Sequence, residues 1–291
     1  MKPAPFRYHR AQSAQEAAGL LAEKENARLL AGGQSLMPMM NMRYVAVDHL
    51  IDLNPAADMV GISLKGGRAT IGAMTRQRAI LEHSCLAAGA PVIAEALRQV
   101  GHVQTRNRGT IGGSLSHLDP AAELPGMMAL LDAEVTLTRK DGTRTVAMAD
   151  FPAGYMTPCT EPDEVLSSVA FDLWPAGHGW DFREFARRHG DFAIVGVGSL
   201  VNLDGSGKID RAALVLIGVG DGPRRLPEVE KMLTGEAPTA ALFAEAADLA
   251  GAGGMAEDAL VSETYRRHLA RVLVRRSLDN AAQRARGGNN G

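Results

Sequence analysis

Cysteine is almost missing from this sequence: Cys85 and Cys159 are the only two, and they lie far apart. Two distant thiols build no disulfide framework, no thiolate zinc site and no iron–sulfur cluster within the chain, and they fit a reducing, cytoplasmic compartment. Aromatic residues make up 4% of the chain, too little for a base-stacking surface. Neither sign of charge dominates, with 31 Lys and Arg against 33 Asp and Glu. Nucleic acid and acidic membrane surfaces are therefore not expected partners. Long apolar runs are missing as well. Ala193–Leu203 and Ala212–Val219 are too short and too glycine-broken to span a bilayer, and Met1–Arg10 has no apolar leader core. The histidines never fall at an H-x-x-x-H spacing, so no metal site is expected.

What remains is a globular chain. Its 291 residues suit about two domains, and 46% apolar content is enough for a substantial core. Ser13-Ala14-Gln15-Glu16 reads as a capping box opening a helix to about Lys24. Arg28–Ala31, His49–Leu53, Val60–Leu64 and Ala69–Ile71 read as strands, the last two joined by a Gly66-Gly67 turn. Pro91–Gln99 reads as a helix, with proline in its first turn and Gly101 beyond its end. Ala133–Arg139 and Arg144–Ala149 flank a Lys140-Asp141-Gly142 turn, and Glu164–Leu173 is a further strand. The chain breaks at Pro175, Gly177 and Gly179, a candidate domain boundary. Beyond it, Phe182–Arg188 and Ala212–Val219 read as strands, and helical patterns occupy about 226–233, 239–250 and 262–283. In the last, Tyr265, Leu269, Val272 and Leu273 share a face, and the arginines from Arg266 to Arg276 read as a solvated or subunit-facing side.

Two glycine segments stand out. In Ala31-Gly32-Gly33-Gln34-Ser35-Leu36 a short strand runs into two glycines and then a helical stretch holding Met37, Met39, Met40 and Met42. Thr110-Ile111-Gly112-Gly113-Ser114 repeats the pattern within a glycine-rich loop. Successive N–H groups beside small residues can cradle a phosphate, although an ordinary strand-to-helix turn uses the same residues. Two such segments together could grip both phosphates of a diphosphate. Other phosphate patterns fail: Gly196-Val197-Gly198 lacks the third glycine of a dinucleotide fingerprint, and Gly205-Ser206-Gly207-Lys208 lacks the first glycine of a P-loop and reads as a hairpin turn. Ser114, Ser116, His117 and Asp119 have no nucleophile elbow around them.

Ala31–Pro38 and Thr110–Ser114 resemble the two flavin-binding segments of the FAD-binding medium subunit of molybdenum hydroxylases, the xanthine dehydrogenase and carbon monoxide dehydrogenase family. Asp119–Pro125, Arg187–Ala193 and Tyr265–Leu269 resemble further segments of that family, so the resemblance runs along almost the whole chain. It implies an α+β fold: an FAD-binding domain of the vanillyl-alcohol-oxidase (PCMH) type over 1–176, a C-terminal domain with an antiparallel sheet and helices over 177–285, and a disordered tail over 286–291. It implies FAD contacts from Leu29, Leu30, Ala31, Gly32, Gly33, Gln34, Ser35 and Leu36 on one side of the diphosphate and from Thr110, Ile111, Gly112, Gly113 and Ser114 on the other. Val100 and Leu166 match apolar neighbours of the flavin. Glu123 stands where the family usually has an aspartate bonded to FAD, Phe192 where some relatives have a tyrosine beside the isoalloxazine, and Glu184 where relatives often carry a lysine.

The same resemblance implies two partner subunits, a large one with a molybdopterin cofactor and a small one with two 2Fe–2S clusters, assembled as a dimer of heterotrimers. This chain would take electrons from those clusters and pass them to an external acceptor. The flavin carries that chemistry, so no side chain is assigned as catalytic. Two alternatives stay open: a stand-alone FAD-dependent reductase of the same fold, and a nucleotide-binding scaffold subunit.

Overall fold

The computed structural model describes residues 1–287. The expected disordered tail falls mainly on 288–291, outside the described residues. The chain opens with a parallel three-stranded sheet of β1 (Arg7–Arg10), β2 (Ala27–Leu30) and β3 (His49–Asp52), with β3 in the middle. Helix α1 (Ala14–Glu23) links the first two strands. Ser13 caps it, its hydroxyl accepting from Glu16 N at 3.1 Å, while Glu16 reaches back to the Gln12 N–H at 2.7 Å. The short α2 (Leu36–Asn41) links β2 to β3 and buries Met40, whereas Met42 is exposed.

An antiparallel sheet follows, built from β4 (Ile62–Lys65), β5 (Arg68–Gly72), β6 (Glu134–Arg139), β7 (Gly142–Ala147) and, after a small ribbon of β8 (Pro152–Gly154) and β9 (Thr157–Pro158), β10 (Val165–Asp172). The order is β4-β5-β10-β6-β7. Both Gly66 and Gly67 take positive φ, as a two-residue hairpin turn of this hand requires. Between β5 and β6 lie six helices: α3 (Gln77–Glu82), α4 (Ser84–Gly89), α5 (Pro91–Gln99), α6 (Val103–Arg108), α7 (Ile111–His117) and α8 (Glu123–Leu130). The glycine-rich stretch expected as a loop therefore enters a helix. Thr110 caps α7, so Gly112 and Gly113 sit in its first turn rather than before it.

The last third is one antiparallel sheet, β11 (Gly179–Phe185), β12 (Val195–Leu203), β13 (Ile209–Ile217) and β14 (Arg224–Arg225), with α9 (Pro227–Leu233), α10 (Ala240–Ala250) and α11 (Glu263–Ala285). Both faces of this sheet are buried. Ala213, Val215 and Ile217 join the core shared with the N-terminal elements, and Leu214 and Leu216 join the core under the three helices. That is why the strands read as continuous apolar runs.

Two sequence expectations change here, and one run left without an element gains one. The expected strand over Phe182–Arg188 starts and stops earlier, because Gly179 belongs to β11: a Cβ there would lie 1.7 Å from Ala281 O on α11. The run holding Gly196 and Gly198 is a strand, β12, with its glycines facing Ile217 and the Met127 and Leu130 side chains of α8. Arg266 is not solvated. It is 8% exposed, donates to the carbonyls of Ile194 and Gly218 and pairs with Asp258, while Tyr265, expected on the apolar stripe, is exposed.

Candidate functional site

Parallel strand β2 delivers the chain into the turn Ala31–Ser35, where Gly33 takes a φ of +72°. That left-handed conformation suits glycine and strains a branched residue. Gln34 Nε2 donates to Gly32 O at 3.1 Å, folding the turn on itself. Ser35 at the N-cap of α2 makes no side-chain cap, Pro38 carries no N–H and the Met37 N–H donates to Gly33 O at 3.2 Å, so the first turn leaves the Leu36 N–H for an anion.

The second segment is strapped to the turn after β5. Gln77 N–H donates to Gly109 O at 2.9 Å, Ile111 N–H to Thr75 O at 3.2 Å and Gly112 N–H to Ala73 O at 2.8 Å. Thr110 Oγ1 accepts from Gly113 N at 3.1 Å. A Cβ on Gly112 would come within 2.5 Å of the Ala73 Cβ. Crucially, the two segments meet. A Cβ on Gly32 would sit 2.3 Å from Arg108 O, and one on Gly113 would sit 3.5 Å from the Ala31 Cβ. The pair recognised in sequence is thus one constellation in space, closed by glycines whose missing side chains allow the contact.

The remaining sequence-predicted residues fall into three places. Leu166 is buried on β10, paired with Leu137, and its neighbour Ser167 accepts from Ala73 N at 2.9 Å. Val100 closes α5, and the next two residues touch the 186–192 segment: a Cβ on Gly190 would lie 2.9 Å from the His102 ring. Phe192, at the end of that segment, is 58% exposed, so it is no core phenylalanine. Glu123 opens α8 and is buried; Glu184 lies on β11 opposite Gly196. The two meet across the seam where Gly126 and Pro120 pack on the last sheet, Gly218 N donating to Pro120 O at 2.8 Å. Burial, the Glu184 charge and then Asp119 push the Glu123 carboxyl up to about 8. Burial pushes Glu184 up to about 7, and its Oε2 has no hydrogen-bond partner.

Residues 4–174 match the model of the FAD-binding domain in molybdopterin dehydrogenase, and 180–281 match the C-terminal domain of the carbon monoxide dehydrogenase flavoprotein. The chain belongs to this family of FAD-binding flavoproteins. Among its relatives, the alpha subunit of the 6-hydroxypseudooxynicotine dehydrogenase complex of Paenarthrobacter nicotinovorans is 37% identical, over 98% of this chain and 97% of that one. The carbon monoxide dehydrogenase medium chain of Afipia carboxidovorans is 36% identical, over 98% of this chain and 100% of that one. The solved carbon monoxide dehydrogenase of Hydrogenophaga pseudoflava that lacks the Mo-pyranopterin moiety superposes with a TM-score of 0.94 at 34% identity, covering 98% of this chain and 99% of that one.

The residues present fit the flavin dinucleotide that the family binds. The donors of the cradle come from the turn before α2; the Ile111, Gly112, Gly113 and Ser114 N–H groups are already bonded, so the second segment contributes glycines, which a phosphate can approach and a Cβ would fill. Two residues of this flavoprotein's cradle escaped the sequence reading. Asn54 Nδ2 donates to Ala31 O at 3.3 Å, and Arg76 donates to both Asn54 Oδ1 and Arg108 O. Neither belongs to a local motif, so only the tertiary fold reveals them. Among the described residues no cluster of His, Cys, Asp or Glu could hold a metal ion, and no helix is long and apolar enough to cross a membrane.

Proposed function

We propose that this chain is the FAD-carrying electron-transfer subunit of a heterotrimeric molybdenum hydroxylase. The observation that carries the reading is the direct meeting of the two glycine segments. When bound, FAD would supply the redox chemistry, accepting electrons from 2Fe–2S clusters of a small partner and yielding them to an external acceptor. The segments Leu29–Leu36 and Thr110–Ser114 hold the diphosphate from two sides. Val100 and Phe192 flank the flavin and limit water, Leu166 backs it, and Glu123 with Glu184 keeps a proton at the seam between residues 1–176 and 177–285. A large molybdopterin-bearing partner handles the organic substrate, and the working unit is a dimer of heterotrimers in the cytoplasm. The names of the medium-chain relatives support this division of labour.

The test is a purification followed by reconstitution. The full complex should show flavin and iron–sulfur absorption and two co-purifying chains. The chain alone should bind one FAD yet leave it oxidised when the organic substrate of the complex is added. Substrate-dependent flavin reduction by the isolated chain would make it a self-contained reductase, and a colourless chain would make it a scaffold.

Phe192 gives a second check. An exposed side chain costs little on truncation, so Phe192→Ala should change stability by no more than about 0.5 kcal/mol, against ~3–5 kcal/mol for a core phenylalanine. The same variant should shift the flavin absorption band and speed or slow its reoxidation. Phe192→Tyr should retain FAD with altered reoxidation kinetics. Unchanged flavin spectra and kinetics in both variants would remove Phe192 from the site.

A further inference from the structure

Behind the two glycine segments runs a chain of polar contacts that begins on β1. Tyr8 OH donates to Asp52 Oδ2 at 2.5 Å, and Asp52 Oδ1 accepts from Asn54 N at 3.0 Å and from the Asn54 amide. Asp52 is buried, at 6% exposure. Burial works against its charge, but the bonds from Tyr8 and Asn54 hold its carboxyl below the usual carboxylate range. The same Asn54 amide donates onward to Ala31 O, in the first glycine segment. Its oxygen accepts from Arg76, whose other terminal nitrogen donates to Arg108 O, in the second. Arg108 O is the atom that a Cβ on Gly32 would strike. One bidentate side chain and one amide therefore close a ring through both segments.

The charge of Arg76 is also unusual. Its partners are an amide oxygen and a carbonyl, and among the described residues no carboxylate pairs with it. Burial and the nearby Arg108 charge push its guanidinium below its ordinary value, with Asp52 opposing. A half-buried cation beside a second cation, with the Asp52 charge opposing but no carboxylate in contact, gains from a further anion. A planar fork that fixes two oxygens in place while keeping its charge is work that Arg does and Lys does not.

We propose that Arg76, oriented by Asn54, is a positioning residue for the cofactor: it locks the two glycine segments at the spacing that a dinucleotide diphosphate needs and presents to that diphosphate a positive charge that no carboxylate pairs with. The proposal rests on the FAD reading above. It separates two contributions, geometry from the fork and attraction from the charge, which different variants remove.

The experiment measures FAD affinity of the full chain at low and high salt, with the melting temperature of the apo-chain alongside. Arg76→Gln should bind FAD at least tenfold more weakly at low salt and show a flatter salt dependence, because one screened attraction is gone. Arg76→Lys should keep the salt dependence yet bind several-fold more weakly, because the fork is gone. Asn54→Ala should weaken binding with the salt dependence intact. The apo melting temperatures of these variants should stay close to that of the unaltered chain. Variants that bind FAD like the unaltered chain, or whose affinity loss only tracks a fall in apo stability, overturn the clamp and leave the flavin assignment standing. An unaltered chain that takes up no FAD overturns that assignment, and the clamp with it.

Discussion

Gly33→Val should yield a folded chain that purifies without flavin. The φ of +72° at Gly33 lies in the left-handed region, where a residue with a Cβ pays roughly 1–2 kcal/mol and a β-branched one is an outlier. The Cβ itself would meet Leu30 Cδ1 and Met37 Cγ at 3.2 Å, side-chain atoms that can give way. Against a typical global stability of about 5–15 kcal/mol that loss is survivable. The turn is not: valine would drag Ala31–Ser35 toward extended backbone and rotate its N–H groups away from the diphosphate.

Gly32→Ala reaches the same outcome by another route. The alanine methyl would lie 2.3 Å from Arg108 O and 2.9 Å from the Gly109 Cα, backbone atoms held by α6 and by the Gln77 bond. The two segments must then separate. The ratio of flavin to protein absorbance, read beside circular dichroism, checks both variants. Stoichiometric FAD in folded Gly33→Val would mean that the diphosphate lies elsewhere.

What the sequence makes legible follows from how local its causes are. Ser13 and Glu16 cap their own helix, and Gly66-Gly67 turns its own hairpin, so both could be read from a few residues. The two glycine segments are legible as a pair because each carries the same local pattern of two adjacent glycines beside small polar residues. Glycine in a strand or helix interior is different, since its cause lies in another element. Gly179 is there for α11, and Gly196 and Gly198 for Ile217 and α8. Each reads locally as a breaker. Arg266 looks like one more arginine on a charged face, yet it satisfies two carbonyls distant in sequence, at the ends of β12 and β13. Asn54 and Arg76 meet only because β3 and the turn after β5 end side by side around Ala31 and Arg108. Spacing along the chain carries no trace of that.

Stability of the chain without cofactor should depend on the Glu123–Glu184 pair between about pH 5 and pH 8. In the unfolded chain both carboxyls titrate near 4.5, whereas folding pushes Glu123 up to about 8 and Glu184 up to about 7. The folded state therefore binds more protons than the unfolded state across that window. Its stability is full below about pH 4.5 and falls as pH rises, by up to about 1.4 kcal/mol per pH unit for each proton retained. The two groups repel across the seam, so the apparent values belong to the pair, and the first proton to leave comes off more easily than the second.

Asp52 and Glu164 do not confuse the window, because their carboxyls are held low and titrate beneath it. His9 and His178 act in the opposite sense, burial favouring their neutral form, so they add stability as pH rises. A comparison of the unaltered chain with Glu123→Gln/Glu184→Gln cancels the histidines. Urea midpoints at pH 5, 6, 7 and 8 should show the double variant gaining on the unaltered chain at every step and exceeding it at pH 8. Glutamine keeps the volume and the acceptor oxygen but has no proton to lose, so the difference between the two curves is the titration of the pair. Parallel curves across the range would mean that both carboxyls are already ionised at pH 5, and that the seam holds no proton.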